Sequence, residues 1–568
     1  MKQGYFTFVL HSHLPYVRSA GRWPHGEEMI HEALAETYVP LLNALYDLKR
    51  EGIEPRLTIG LTPILLEQIA DRDVLAHFEL YLDEEIEVAK ADGARFDAGG
   101  DPRLKYLADF HARWYQAVKD SYEHRYGRDV VGAFRRLRED GNLDVMTSAA
   151  THGYLPLFDR DSSIHGQLTT GLEATRRHLG HAPFGIWLPE CGYRPAYYRS
   201  GENGAGYRPG LEEFLAELNL LYFVTDTQVI EGGRIVGKAA GDVHGPYGGL
   251  PKRDLAAGDS AGTGPSERTT ARPYYVQSSR VAVYGRDART GTQVWSATSG
   301  YPGDFRYREF HRKDSTSGLQ YWRVTGADVA LDHKELYDPV AALDQTAAHA
   351  DHFVGLVEEI SARYHAGHDR PGLIVSAYDT ELFGHWWFEG IDWLKGVLRR
   401  LATNEQVGLT TANQYLERYP PEDALTLSES SWGAGGNHWT WLNPQTEWIW
   451  PLIHGAERRM EGLVAENLDA AGWRVKAMNQ LARELLLLQS SDWPFLISTG
   501  QAKEYATGRF QQHLARFNHL AMIVESKHFG PEEERFLDAT ASLDNPFPTI
   551  DFRAFKEENW RENRPSGS

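Results

Sequence analysis

The sequence predicts an α/β protein with about seven parallel strands, followed by a helical domain. In the first half, short apolar runs alternate with long amphipathic ones, which is typical of strands that alternate with helices. From about Leu452 the pattern is helical, at Leu452–Ala465, Gly472–Ser490 and Arg509–Glu525. The predicted parallel strands are Tyr5–Leu10, Leu57–Leu61, Leu143–Thr147, Phe184–Leu188, Leu221–Thr225, Leu373–Tyr378 and Val407–Thr411.

These patterns predict two domains, a strand-rich domain at 1–410 and a helical domain at 411–568. A small inserted subdomain is expected at about 192–230. Between Gly237 and Arg272 the composition changes to Gly, Pro, Ala, Ser and Asp, which predicts a mobile lid or a disordered insert. After it, a hairpin is predicted from two strand-like runs, Tyr274–Tyr284 and Val294-Trp295.

Composition and charge narrow the possible partners. The 568 residues include 59 Lys+Arg and 79 Asp+Glu, a net charge of −20, which argues against nucleic acid or an anionic membrane as the main partner. Aromatic residues reach 12% of the chain, through a large core or through surfaces that stack on sugars. The single cysteine, Cys191, suits a reducing compartment, and no apolar stretch approaches a membrane span, so we expect a cytoplasmic protein.

Polar side chains collect where the predicted strands end, which is where parallel βα architectures place their functional groups. His152 follows the third strand, Glu190 the fourth and Asp379 the sixth. Two acids at the ends of different strands, both among aromatic residues, suit a retaining glycosidase, whose carboxyl groups lie about 5–5.5 Å apart. Aromatic neighbours can raise the pKa of one acid into the range of a proton donor. The alternative is that both acids form structural ion pairs.

His11 and His13 close the first strand, and alternation along the strand places both rings on one face. They are therefore candidate metal ligands, with Asp379 or His152 as a third ligand. Equally, neutral imidazoles could donate hydrogen bonds to sugar hydroxyls or orient Glu190. The spacing alone does not separate the two hypotheses.

Five tryptophans lie within 19 residues in the second half of the chain. A core helix rarely carries so many, so the pattern favours a wall on which sugars stack over a purely structural role. The five residues are Trp432, Trp439, Trp441, Trp448 and Trp450.

Taken together, the motifs resemble those of glycoside hydrolase family 57, over nearly the whole chain. Five short regions carry the resemblance, in order. They are His11–Pro15, the stretch ending in His152-Gly153-Tyr154, Trp187–Cys191, Tyr378–Trp387 and Ser430–Trp450.

This resemblance implies an incomplete TIM-like (β/α)7 barrel with a small insertion and an α-helical C-terminal domain that contributes to the substrate cleft. It also implies a retaining double displacement that uses no cofactor. By motif, Glu190 is similar to the nucleophile of the family and Asp379 to its acid/base. His11 and His13 line the sugar site in the family, which disfavours the metal hypothesis.

Further motifs are similar to the 1,4-α-glucan branching subgroup, namely Val294-Trp295 leading into Gly300–Asp304, Tyr307–His311, and Ser490–Phe495 leading to Gln501. The expected partner is an α-glucan such as amylose, amylopectin or glycogen, bound by a monomer or a small homo-oligomer with no metal. Candidate contacts to the glucan are His11, His13, His152, Trp187, Tyr247, Arg280, Trp295, Gly300, Trp432, Asp492 and Gln501, with the nearby Arg286 as an alternative to Arg280. Tyr247 is expected at the tip of a loop that closes over the glucan.

The resemblance leaves other activities open. An α-amylase or a 4-α-glucanotransferase of the same family would share the five regions. A metal-dependent polysaccharide deacetylase would also use His and Asp at strand ends. A glucan-binding protein without catalysis is the third alternative, and the presence of both Glu190 and Asp379 argues against it.

Overall fold

The computed structural model describes residues 2–22, 24–199, 206–243, 252–257, 268–277, 279–296 and 299–557. The strands are β1 Gly4–Ser12, β2 Leu57–Leu61, β3 Leu143–Met146, β4 Gly185–Ile186, β5 Tyr197–Arg199, β6 Gly206–Arg208, β7 Tyr222–Thr225, β8 Arg234–Val243, β9 Lys252–Ala257, β10 Tyr274–Val276, β11 Ala282–Gly285, β12 Gly372–Asp379, β13 Val407–Leu409 and β14 Asp423–Thr426.

Helices fill the connections and the last third of the chain. They are α1 Glu28–Ala33, α2 Val39–Arg50, α3 Pro63–Gln68, α4 Arg72–Ala98, α5 Pro102–Asp120, α6 Val130–Glu139, α7 Asp161–Leu179, α8 Leu211–Glu217, α9 Thr227–Gly232, α10 Ala288–Trp295, α11 Pro339–His365, α12 Gly390–Ala402, α13 Ala412–Arg418, α14 Ile449–Glu466, α15 Trp473–Leu488, α16 Asp492–Thr499, α17 Lys503–Ser526 and α18 Pro531–Leu543. A π-helical turn, Leu34–Tyr38, joins α1 to α2. Within the described part of the chain, no helix combines the length and apolarity that crossing a membrane requires.

Seven strands follow one another side by side, all parallel. One sheet has the order β12-β1-β2-β3, and a bridge between Thr147 and Ile186 leads from the end of β3 to β4. The order then continues β4-β7-β11, and the backbone N–H of Asp287, just after β11, donates to the Val375 carbonyl of β12 (2.8 Å). This order is compatible with the expected incomplete barrel of seven strands.

The identity of one of these seven strands differs from the prediction. The run Val407–Thr411 yields only the short strand β13, which pairs with Gly4–Phe6 at the beginning of β1 and lies off the main order. Its expected place is taken by β11, which pairs in parallel with β7. The predicted hairpin is also wrong in its second half, because Val294-Trp295 lies in α10, whereas β10 and β11 are the antiparallel pair.

The Gly-rich segment 237–272 contains secondary structure that its composition did not predict. Strands β8 and β9 pair antiparallel within it, and β8 also pairs with β14. Tyr247 lies outside the described residues. Since β14 follows the predicted boundary at 410 and pairs with β10, strands continue beyond that boundary. The predicted insertion at 192–230 holds the small β5–β6 hairpin but also β7, a strand of the seven.

The helical domain is tied to the barrel through buried polar contacts as well as apolar ones. Arg509 of α17 donates to the carbonyl oxygen of Tyr16, in the segment after β1 (3.1 Å). The same guanidinium nitrogen contacts His513, one turn further along α17, whose Nδ1 lies 2.9 Å from the carboxylate of Glu484 on α15. Arg509 is buried, so separating the two domains would take from its guanidinium the Tyr16 carbonyl oxygen as a partner.

An aromatic cluster forms the core behind β12. Trp393 of α12 is fully buried and packs against Phe8 of β1 (5.8 Å between ring centroids), Phe353 of α11 (4.9 Å) and Phe383 (5.8 Å). Aromatic side chains bury large areas and tolerate truncation poorly, since the cavity that remains cannot collapse. This cluster therefore supports the segment that follows Asp379.

We predict that Trp393→Ala lowers the free energy of unfolding by about 3–5 kcal/mol, the range for large buried aromatic side chains. Urea unfolding followed by far-UV circular dichroism measures the change. Trp439→Ala is the matched control, because Trp439 is 60% exposed and its loss should cost less than about 1 kcal/mol. Equal losses in the two variants would contradict the assignment of Trp393 to the core.

Candidate active site

The polar residues predicted at the strand ends come together at one end of the parallel strands. His11 is in β1, His152 follows β3, Glu190 follows β4 and Asp379 ends β12. His11 and Asp379 are direct register partners on neighbouring strands. The structure thus brings the two predicted acids and the predicted histidines into one cleft, as the geometry of parallel strands requires.

Glu190 is held in a strained backbone conformation by partners from the second half of the chain. Its φ of 61° and ψ of 25° are left-handed, which costs a residue other than glycine about 1–3 kcal/mol. Trp432 Nε1 donates to Oε2 of the carboxylate (2.7 Å), and the Trp432 backbone N–H donates to the Glu190 carbonyl (3.0 Å). Ser491 Oγ lies 3.4 Å from Oε1. The strained backbone and three contacts together fix the direction of the carboxylate.

The two acids differ in what surrounds them. Burial raises the pKa of Glu190 to about 7, and the hydrogen bond from Trp432 and the charge of His13 oppose the rise. Burial raises the pKa of Asp379 well above its usual range, and the negative charges of Glu381 and Glu190 raise it further, against the opposing charge of Arg286. At neutral pH Asp379 therefore keeps its proton more readily than Glu190, which is the division of roles that a retaining mechanism needs.

Three stacked imidazoles lie beside Glu190. His11 Nε2 lies 3.0 Å from His152 Nε2, and His152 Nδ1 lies 2.8 Å from Ser491 Oγ. Burial lowers the pKa of His11 and of His152 well below the usual value, which favours the neutral form of both rings. One set of tautomers satisfies the chain, in which His11 donates to His152, His152 to Ser491, and Ser491 to Glu190. The imidazoles then orient the Glu190 carboxylate at a distance.

His13 differs from the other two imidazoles because its surroundings favour its protonated form. Burial alone would lower its pKa, but Asp492, whose carboxylate lies 3.1 Å from His13 Nε2, raises it above the ordinary value. Asp492 begins α16, so a residue of the helical domain determines the charge of a residue at the end of β1. The ring of His13 stacks on His152 at 3.9 Å between centroids.

Aromatic rings form the apolar side of the cleft. Trp187 is fully buried and stacks on His11 (4.7 Å), and Trp432 meets Trp187 edge to face (5.0 Å). The predicted wall of five tryptophans is wrong for Trp441 and Trp450. Both are buried in the core, where Trp441 stacks on Tyr154 at 4.4 Å. Trp439 and Trp448 are exposed.

The other predicted glucan contacts lie at varying distance from this cleft. Trp295, 43% exposed at the end of α10, lines a groove of about 490 Å³ together with Arg286. Gly300 is buried in the following turn, where an added Cβ would lie 2.5 Å from the Ser296 carbonyl oxygen. Gln501 is exposed between α16 and α17. Arg280 is exposed in the turn before β11, at the opposite end of that strand from Arg286.

Arg286, which the sequence offered only as an alternative to Arg280, lies in the site. It directly follows β11, forms an ion pair with Asp226 (2.9 Å) and lowers the pKa of Asp379 through its charge. Its position after a short apolar run, Ala282–Gly285, was the available signal. That run was assigned to a peripheral hairpin, so the sequence did not place Arg286 at the end of a barrel strand. Ser491 and Glu381 were missed, since both act through contacts with residues far away in the sequence.

Paired carboxyl groups among aromatic side chains, at the carboxyl ends of parallel strands, place this protein among the glycoside hydrolases. More specifically, the chain belongs to glycosyl hydrolase family 57, whose sequence model matches residues 7–428. A second model, described as the C-terminal domain of 1,4-alpha-glucan branching enzyme, matches residues 452–555. The resemblance inferred from the five regions is thereby confirmed.

Individual relatives agree with the family assignment. The chain is 41% identical over 562 residues to the 1,4-alpha-glucan branching enzyme of Thermococcus kodakarensis, covering 98% of this chain and 79% of that protein. The crystal structure of the GH57-type branching enzyme from Pyrococcus horikoshii matches with a TM-score of 0.86 and 38% identity, over 98% of this chain and 97% of that one. The alpha-amylase AmyC from Thermotoga maritima matches with a TM-score of 0.81 and 29% identity, over 98% and 100%.

We predict that Glu190→Gln and Asp379→Asn each lower turnover on an α-glucan by about 10³-fold or more, because each removes one of the two chemical roles. Activity assays with amylose measure the loss, and circular dichroism shows whether the fold is intact. Glu429→Gln is a matched control, since its carboxylate pairs with His438 (2.8 Å) and not with the two acids. Near-normal turnover of Glu190→Gln would remove the assignment of the nucleophile.

We also predict that prolonged treatment with a chelator leaves activity unchanged, because His11 and His152 hydrogen-bond to each other and His13 is paired with Asp492. Metal analysis of the purified protein accompanies the assay. One tightly bound zinc per chain, required for turnover, would instead support the deacetylase alternative.

Proposed function

We propose that this protein is a 1,4-α-glucan branching enzyme. Glu190 attacks the anomeric carbon of an internal α-1,4 bond while Asp379 protonates the departing 4-oxygen, which leaves a covalent glucosyl-enzyme. The 6-hydroxyl of a second glucan then attacks the same carbon as Asp379 takes up its proton. The C–O bond to Glu190 breaks, an α-1,6 bond forms, and both carboxyl groups return to their starting states.

One observation carries this proposal most directly. The domain that matches the branching-enzyme C-terminal model also delivers Ser491 and Asp492 into the cleft, where they contact Glu190 and His13. A domain that reaches the nucleophile can influence the fate of the glucosyl-enzyme after the first displacement. The part of the chain that supports the branching assignment, residues 452–555, therefore also contributes residues to the candidate active site.

Branching also requires that a sugar hydroxyl reach the glucosyl-enzyme before water does. The groove of about 490 Å³ beside Arg286 offers room for an acceptor chain, with the exposed ring of Trp295 available for stacking on a sugar. We propose that this groove holds the acceptor. The donors and acceptors proposed are amylose, amylopectin and glycogen, which would place the enzyme in glycogen biosynthesis in the cytoplasm, as a monomer or a small homo-oligomer.

The experiment that tests the proposal is incubation of the purified protein with amylose, followed by separate counts of α-1,6 linkages and of new reducing ends. Proton NMR measures the linkages, and a debranching enzyme releases the transferred chains. We expect α-1,6 linkages to exceed new reducing ends by a wide margin. Reducing ends without branches would indicate an α-amylase, and redistributed chain lengths without either would indicate a 4-α-glucanotransferase.

The pKa shifts predict the pH dependence of this reaction. Glu190 must be ionised to attack, and since its pKa is raised to about 7, kcat/KM should fall as the pH drops below that value. Asp379 must be protonated, and its raised pKa places the loss of activity on the alkaline side at higher pH. A pH profile of kcat/KM measures both limbs. In Asp379→Asn, assayed with an α-glucosyl fluoride that needs no acid, only the acidic limb should remain, and a persistent alkaline limb would contradict the assignment.

A further inference from the structure

The π-helical turn Leu34–Tyr38 lies directly against the segment that follows Asp379. All five of its residues are buried, although the turn includes the polar side chains of Glu36, Thr37 and Tyr38. π-helical turns are rare and occur frequently at functional sites, where the widened turn redirects side chains. Nothing in the mechanism above uses this turn, so its contacts need an explanation.

Three consecutive side chains of the turn each hold a different residue of that segment. The carboxylate of Glu36 lies 2.5 Å from His385 Nδ1, and the Thr37 hydroxyl donates to the carbonyl oxygen of Phe383 (2.9 Å). The Tyr38 hydroxyl donates to the carboxylate of Glu381. As the residue number rises along the turn, the number of its partner falls, so the two segments run antiparallel. The three contacts together fix the path of the chain between 381 and 385.

Gly384 shows how closely the two backbones approach. Its φ of +98° is in the region that favours glycine, and an added Cβ would lie 1.9 Å from the carbonyl oxygen of Glu36. No side chain can separate the turn from the segment at this point. The two backbones are therefore in direct contact, and a shift of one requires a shift of the other.

Glu381 connects these two segments to the catalytic centre. Its Oε1 accepts the backbone N–H of His13 (3.2 Å) as well as the Tyr38 hydroxyl. Glu381 is only two residues from Asp379. The residue between them, Thr380, is tied to the end of β1, because its hydroxyl lies 2.7 Å from the hydroxyl of Ser12. The position of Asp379 thus depends on a carboxylate that Tyr38 holds in place.

We propose that Tyr38 and the π-helical turn are positioning elements that hold the Glu381 carboxyl group beside Asp379, and so keep Asp379 in place as the acid. This inference rests on the proposed role of Asp379 as the acid/base. Tyr38 and Glu381 contact no reacting atom in this scheme. They act on catalysis through Asp379.

The hydrogen bond from Tyr38 affects the charge of Glu381 as well as its position. Burial raises the pKa of Glu381 to about 7, and the hydrogen bond from Tyr38 opposes that rise. Without this donor Glu381 takes up a proton more readily, its negative charge is lost, and one of the causes that raise the pKa of Asp379 disappears. The other groups that act on Asp379 and Glu381, from the surrounding strand ends, are His11, His13, Glu190 and Arg286.

Tyr38→Phe tests the proposal, because it removes one oxygen from a fully buried ring. On amylose we expect kcat to fall on the order of 10-fold or more, with KM changed less than twofold. The alkaline limb of kcat/KM should move to lower pH, since the pKa of Asp379 falls. With α-maltosyl fluoride as donor and azide as nucleophile, neither displacement needs an acid or a base, and the rate should stay within twofold of the unsubstituted enzyme.

Two further variants separate positioning from stability. Tyr46→Phe is the matched control on α2, since it removes a hydroxyl that donates to the Ala133 carbonyl (2.9 Å), and it should change none of these readouts. Thr37→Val removes the donor to Phe383 without changing a charge. It should lower kcat on amylose while leaving the alkaline limb in place.

The inference is overturned if Tyr38→Phe keeps both kcat and the alkaline limb, or if the amylose and fluoride rates fall together with the melting temperature. Asp379→Asn in the same assays tests the proposed function separately. If Asp379→Asn is inactive on amylose while Tyr38→Phe is normal, only the positioning role fails. If Asp379→Asn is itself active on amylose, the acid/base assignment fails and the inference fails with it.

Discussion

Two carboxyl groups are buried in one cleft, and the surrounding residues must keep one of them ionised and the other protonated. If both were treated alike, repulsion and burial would drive protons onto both, and neither could attack. The neighbours are instead unequal. Glu190 receives hydrogen-bond donors from Trp432 and Ser491, which favour its ionised form, whereas Asp379 has the carboxylate of Glu381 beside it, which favours its protonated form. This asymmetry gives each acid its role.

The same requirement explains why the helical domain is part of the site. The barrel supplies Thr62 as a partner for Nδ1 of His13, but neither the carboxylate that faces Nε2 of His13 nor the hydroxyl between His152 and Glu190. Ser491 and Asp492 provide both, at the beginning of α16. The buried hydrogen bond from Arg509 to the Tyr16 carbonyl oxygen helps hold the domain in the position that these partners need.

Much of the fold and the chemical centre was predictable, because local patterns encode strands and because polar residues at strand ends converge. What local patterns do not encode is which strands become neighbours. The apolar run at Val407 resembled a strand of the barrel, yet β11 occupies the seventh place, and this exchange left Arg286 without its place at a strand end. Likewise, counting tryptophans could not show that Trp441 and Trp450 face the core. The contact of Tyr38 with Glu381 joins residues 343 positions apart, so no local pattern could indicate it.

The partners of Glu190 also bear on how the protein is made. Trp432 and Ser491 follow it by 242 and 301 residues, so both leave the ribosome long after the strand that carries the nucleophile. Until they arrive, nothing from the helical domain restrains the carboxylate or the left-handed backbone beneath it. The nascent chain therefore carries both acids without a working centre until Trp432 and Ser491 have been synthesised and have folded against Glu190.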